Sequence, residues 1–151
     1  MKCFTTSIFK NTIKKLCTRP RNHDFVEFTL KGQTLECLVT EIINCNTFIV
    51  TCSFHGVPIW VTCKFDGICG ASPVGTDELH KYKECMSYLN TSVRDTKVSI
   101  NFTGMDKFGK YIALVKILPE NKLLNDLLID KNYAYSYQGG KKLLFHQWNL
   151  P

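Results

Sequence analysis

Lys64, Lys107 and Lys110 stand in two short glycine-bearing runs, Lys64-Phe65-Asp66-Gly67 and Asp106-Lys107-Phe108-Gly109-Lys110. Brought together, they would form a small cationic patch able to hold a phosphate by point charge. Six aromatic residues, Phe48, Phe54, Trp60, Phe102, Phe108 and Tyr111, fall in the same part of the chain. Bases of single-stranded nucleic acid stack on such rings, although several must serve the core of any fold. Asp66, Asp77 and Asp106 are carboxylates of the kind a hard cation needs. Cys52, His55, Cys63 and Cys69 carry zinc-binding groups, but no CxxC pair occurs and the spacings match no zinc pattern. Each group also has a plainer reading. Asn44 and Asn46 are ordinary turn formers, Gly67 and Gly109 ordinary loop glycines, and Lys64 and Lys110 solvated surface side chains.

The elements that must position these residues fit in one domain, since 151 residues suit a single core. The 44% hydrophobic and 21% charged shares exclude a disordered chain. No apolar run approaches the roughly 18 residues of a membrane span. Net charge is +6, and it is unevenly placed. Lys2, Lys10, Lys14, Lys15, Arg19 and Arg21 precede the first acidic residue, Asp24, leaving 13 of the 19 basic side chains against all 13 acidic ones. The body is therefore formally neutral and residues 1–23 form a basic arm. Residues 6–17 place Ile8, Phe9, Ile13, Leu16 and Cys17 loosely on one helical face. Pro20 then ends any helix. Three readings stand for the arm: a helix docked on the body, a segment contacting nucleic acid or an anionic membrane surface, or a mitochondrial presequence. The eight cysteines accompany no secretory signal, and several sit in apolar, strand-like runs (Cys37, Cys52, Cys63). They read as small buried hydrophobes of an intracellular, reducing compartment, with a virion or mitochondrial location left open.

From residue 25 the chain becomes strand-rich. Residues 25–30, 35–43, 48–54 and 59–65 are predicted strands, separated by turns at Lys31-Gly32-Gln33, Asn44-Cys45-Asn46-Thr47 and His55-Gly56-Val57-Pro58. Thr76-Asp77-Glu78 offers an N-cap and acidic first turn to a helix reaching about Leu89, with Leu79, Tyr82, Met86 and Leu89 on one face. Strands at 97–103 and 111–117 follow, then a helix over 123–130 capped by Asn121 or its successor. Asn132 stands where a helix end favours a left-handed residue. Setting aside the first strand, the order is three strands, a helix, two strands and a helix. That is a β-rich α+β chain with the arrangement of a five-stranded OB-fold barrel and two to three helices. The domain is expected over 24–151, with Trp148 and the tail after Gly140 either closing the barrel or forming a contact surface.

Four runs in this order resemble the staphylococcal nuclease family over roughly residues 35–137. Asn44-Cys45-Asn46-Thr47 stands where that family has Asp-Gly-Asp-Thr. Lys64-Phe65-Asp66-Gly67-Ile68-Cys69-Gly70-Ala71-Ser72 stands where it has Arg-Leu-x-Gly-Ile-Asp-x-Pro-Glu. Asp106-Lys107-Phe108-Gly109-Lys110 is close to Asp-Lys-Tyr-Gly-Arg, and Asn125-Asp126-Leu127-Leu128 with Asn132-Tyr133-Ala134-Tyr135 echoes the family's last motif.

The resemblance implies a calcium-dependent phosphodiesterase fold whose chemistry is lost. It puts the two metal aspartates at Asn46 and Cys69, replacing both carboxylate charges with a neutral amide and a thiol, which is a poor calcium ligand. The base-like glutamate falls at Ser72, which cannot take a proton from water without a partnering base. The two phosphate-gripping arginines fall at Lys64 and Lys110, which keep the charge and lose the bidentate fork. No cofactor and no catalytic residue is then expected. The first functional expectation is an inactive domain acting as a structural or protein-interaction module, such as an assembly or virion component. The second is a nucleic-acid-binding module using Lys64, Lys107, Lys110 and the arm residues Lys10, Lys14, Lys15, Arg19 and Arg21. The third is a divergent nuclease with a rebuilt metal site.

Overall fold

The computed structural model describes residues 28–148. Strands β1 (Thr34–Asn44), β2 (Thr47–Phe54) and β3 (Val57–Phe65) form an antiparallel meander. His55 and Gly56 both take positive φ, of 50° and 81°, at the β2–β3 link. That is the two-residue turn whose twist matches its flanking strands. Two register shifts in β1, between Val39 and Glu41 and between Ile42 and Asn44, let this strand curl across the sheet.

A three-residue β4 (Ile68–Gly70) leads to helix α1 (Thr76–Ser92), then to β5 (Lys97–Met105) and β6 (Tyr111–Ile117). A stub β7 (Lys122–Leu123), helix α2 (Leu124–Asp130), β8 (Ala134–Ser136) and a 3-10 turn (Phe145–Gln147) complete the described chain. The strand order is β3-β2-β1-β5-β6-β7, and β3 pairs back onto β6. That parallel seam, Cys63↔Tyr111, Lys64↔Ile112 and Phe65↔Ala113, closes β1, β2, β3, β5 and β6 into an OB-fold-like barrel. The molecule is thus β-rich α+β, as its strand and helix order implies.

Alternation along each strand fills the barrel. Val39, Phe48, Val50, Cys63, Phe65, Val98, Ile100, Phe102 and Val115 all point inward and are buried. Each such large side chain contributes about 1.5–3 kcal/mol of burial. Helix α1 closes one end with Cys85 and Leu89, and α2 seals another side with Leu124 and Leu128. Cys37, Cys45, Cys52, Cys63, Cys69 and Cys85 are free thiols, five of them buried. Burial is the main cause holding the Cys63 thiol up at about 12.

Three local expectations are corrected. Residues 28–30 form no strand; instead Leu30 plugs the core and its N–H donates to the Tyr111 hydroxyl at 3.3 Å. Residue 75, not Thr76, caps α1, because Gly75 at φ 100° turns the chain before the helix with no side-chain cap. Leu123 caps α2 in place of Asn121, which at φ 56° lies in the preceding turn. Asn132 does take the left-handed conformation, at φ 57°. The described part of the tail adds no strand to the barrel. Trp148 packs on Tyr135 of β8, ring centroids 4.9 Å apart, outside the β3–β6 seam. Residues 1–27, with all the arm cations, lie outside the described residues, and among those described no helix is long and apolar enough to cross a membrane.

Candidate functional site

Three chain segments converge at one rim of the barrel. The first is the β1–β2 turn, where the Asn44 side-chain oxygen accepts the Asn46 N–H at 2.9 Å. Asparagine favours turns through such a local bond. The Asn46 amide then clamps a single residue across the rim. Its oxygen accepts the Gly70 N–H, and its nitrogen donates to the Gly70 carbonyl at 3.4 Å. This close approach requires glycine, since a Cβ on residue 70 would lie 2.7 Å from the Cys45 carbonyl oxygen.

The second segment is the end of β3. Cys63 and Phe65 point into the core, so Lys64 between them points out at the rim. The third is the β5–β6 turn. One oxygen of Asp106 accepts the N–H groups of both Phe108 and Lys110 at 2.9 Å, with Gly109 at φ 80° completing the reversal. Partial burial pushes the Asp106 carboxyl up. The Lys110 and Phe108 amides, with the ammonium charges of Lys110 and Lys64, outweigh this and hold it below its usual value.

These segments frame a cleft of about 450 Å³ lined by Asn46, Lys64, Ser72, Asp106, Phe108 and Lys110, among others. The chain tail adds Lys142. It is held there by the Leu143 N–H donating to the Tyr135 hydroxyl at 3.1 Å, backed by Trp148 on the same ring. Among the described residues three lysines thus share the cleft with one carboxylate. Ser72 enters from the loop before α1, where its N–H donates to Glu78 Oε1 at 2.8 Å and its hydroxyl accepts the Val74 N–H at 3.3 Å.

Four of the five residues singled out by motif therefore meet in one place: Asn46, Lys64, Ser72 and Lys110. Cys69 does not line the cleft. It lies buried in β4 with its sulfur 3.8 Å from the Gly70 carbonyl. Lys107 stands beside the cleft, its ammonium 5.1 Å from the Phe108 ring centre. Asp66 turns away, accepting the Thr103 hydroxyl at 2.8 Å and lining a separate, smaller cleft that shares Lys64. Among the described residues no three of His, Cys, Asp and Glu come to ligand distance of one point, and Cys52, His55, Cys63 and Cys69 are spread over three strands and a hairpin tip. Lys142 and Glu78 were not singled out by sequence. The basic pair Lys141-Lys142 after two glycines is visible, but nothing in chain order says that it returns to the rim.

Calcium takes roughly six to eight oxygen ligands, with carboxylates prominent among them. Among the described residues the cleft's single carboxylate is already bonded to two amides, the Asn46 amide is engaged by Gly70, and three ammonium groups stand by. These residues do not fit calcium. Ser72 finds no histidine or carboxylate partner for its hydroxyl among the described residues. The arrangement is chemically suited to hold an anion against an exposed ring. No protein-family model matches this chain, and no curated protein matches it.

Proposed function

We propose that the protein is a non-catalytic OB-fold-like module that holds single-stranded nucleic acid by its phosphates in this cleft. The observation that carries the reading is the convergence of Lys64, Lys110 and Lys142, from three separate segments, on one cleft with Phe108 exposed at its rim. Lysines bind phosphate oxygens as point charges, and the face of an exposed phenyl ring offers a base a stacking surface. The formal neutrality of the body argues against this only as a sum, because phosphate affinity depends on local charge. The same reading makes the chain a divergent relative of the staphylococcal nuclease family. Its support is the four ordered motifs and the meeting of Asn46, Lys64, Ser72 and Lys110 in one cleft. On this reading the nuclease chemistry is gone, with neither a metal-binding carboxylate set nor a base to activate water among the described residues.

A second reading, a structural or protein-interaction module such as an assembly or virion component, draws on Val74, Leu143 and Leu144. These apolar side chains are exposed on the loop and tail that flank the cleft. Anisotropy of labelled single-stranded DNA and RNA, with cleavage followed in calcium and in other divalent metals, separates the readings. The expected result is intact strand, bound with strong salt dependence, and weakened binding in the Lys64→Ala/Lys110→Ala/Lys142→Ala variant. Absence of binding at low salt would favour the interaction module, and metal-dependent cleavage would restore an enzyme.

A further inference from the structure

We infer that the bound strand continues from the cleft along the outer face of β3 to Trp60, so that the site takes a run of several nucleotides and not a mononucleotide. The inference rests on the nucleic-acid reading of the cleft and extends it to a surface that reading does not use.

Six aromatic residues stood in the chain as candidates for stacking, and the fold sorts them. Phe48, Phe102 and Tyr111 are buried in the barrel, and the Phe54 ring is engaged edge-on by Phe28 and His55. Two present open faces: Phe108 at 75% exposure and Trp60 at 70%. Strand periodicity fixes their relation to the cleft. Because Cys63 and Phe65 face the core, Lys64, Thr62 and Trp60 share the outer face of β3. Four residues at about 3.3 Å each put Trp60 roughly 13 Å from Lys64. That is the rise of roughly four stacked nucleotides at 3.4 Å each, and fewer if the strand is extended.

The surface between the two platforms suits such an occupant. Thr62 pairs with Ile49 and Trp60 with Thr51 on β2, so the path is uncharged between the lysines and the indole. On β1 the partner of Ile49 is Glu41, an exposed carboxylate that repels phosphates and confines the strand to β2 and β3. On the other side β6 pairs with β3 only at residues 63–65, so residues 57–62 have no strand partner there among the described residues. In OB folds the face of the second and third strands, with the loops after the first and fourth, is where oligonucleotides lie. Here those loops are the Asn44–Thr47 and 106–110 turns that frame the cleft.

The test uses the full chain with oligothymidylates of two and eight residues, read by anisotropy, and circular dichroism to confirm folding. Trp60→Ala is expected to weaken the octamer roughly tenfold or more, the effect of losing one stacking platform, and to leave the dinucleotide unchanged. Lys64→Ala is expected to weaken both. In a Trp148→Phe background, where Trp60 is the remaining tryptophan, the octamer should quench its fluorescence and the dinucleotide should not. Octamer affinity that falls in Lys64→Ala but not in Trp60→Ala would overturn the track and leave the cleft reading intact. No binding of either oligomer by the wild-type chain would overturn both.

Discussion

Asn125 is the residue whose removal should cost the fold most for its size. It is 2% exposed and sits in α2 beside a gap in the sheet. On one edge of β6, residues 111–113 pair with β3 and residues 116–117 with β7, so the backbone between them has no strand neighbour. Asn125 fills that gap. Its oxygen accepts the Val115 N–H at 3.1 Å, and its nitrogen donates to the Asp66 carbonyl at 2.8 Å and to the Ala113 carbonyl at 3.4 Å. In Asn125→Ala the fully buried Val115 N–H is orphaned, which costs about 1–3 kcal/mol. The Asp66 carbonyl, half-buried and reachable by water, adds about 1 kcal/mol. Ala113 keeps its bond from the Asp66 N–H at 2.9 Å. With the small cavity left behind, the total is about 3–4 kcal/mol, a large share of the roughly 5–15 kcal/mol that holds a domain together. Urea unfolding followed by circular dichroism should show the midpoint fall by about 1–2 M at unchanged slope. Asn125→Asp should lose a comparable amount at neutral pH, because its carboxylate keeps the Val115 acceptor but faces two carbonyls without a proton to give. A loss under about 1 kcal/mol in Asn125→Ala would refute the idea that this amide closes the barrel seam.

Gly70→Ala should destabilise by about 1–3 kcal/mol or more in the same assay, since the added carbon lies 2.7 Å from the Cys45 carbonyl and 2.9 Å from its Cβ. Stability should fall as pH rises from about 9 toward 12, because Cys63 stays protonated when folded and ionises when unfolded. Its contribution is complete below pH 9, and Cys63→Ala should flatten the alkaline slope by up to about 1.4 kcal/mol per pH unit. Lys142→Ala should reduce the slope of log affinity against log salt for single-stranded DNA by about 0.7, while Lys97→Ala, on a strand away from the cleft, should leave it unchanged.

The barrel was legible because its strands obey a period of two with turn residues between them. The run 59–65 announces its inward Cys63 and Phe65 and its outward Lys64, and the structure adds only Val57 and Pro58 at the start. Residues 25–30 carry the same alternation and misled for that reason, because at 28–30 the alternation serves a plug, with Leu30 buried and its amide on Tyr111. The ribbon of β4 and β8 escaped because three residues carry no period and the partner lies more than sixty positions away. Charge misled in a different way. Counting the body as neutral hid the fact that Lys64, Lys110 and Lys142 meet, because proximity across the barrel is not written in chain order. The turn at Asn44 and Asn46 was legible as a turn, but the second job of Asn46 was not.

That second job has a consequence for how variation at this rim should be read. The Asn46 side chain presents its oxygen as acceptor and one of its N–H groups as donor to a single residue, Gly70. Aspartate can supply the acceptor but not the donor, lysine the donor but not the acceptor, and serine, which can do both, must do so from one atom with a shorter reach. Position 46 is therefore fixed by a partner that cannot itself change, since residue 70 has no room for a side chain. In chains that keep this clamp the two would stay constant together at the mouth of the cleft and look like a ligand-binding pair. Their constancy would reflect the joining of two loops, and the residues free to drift with the ligand would be the lysines around them.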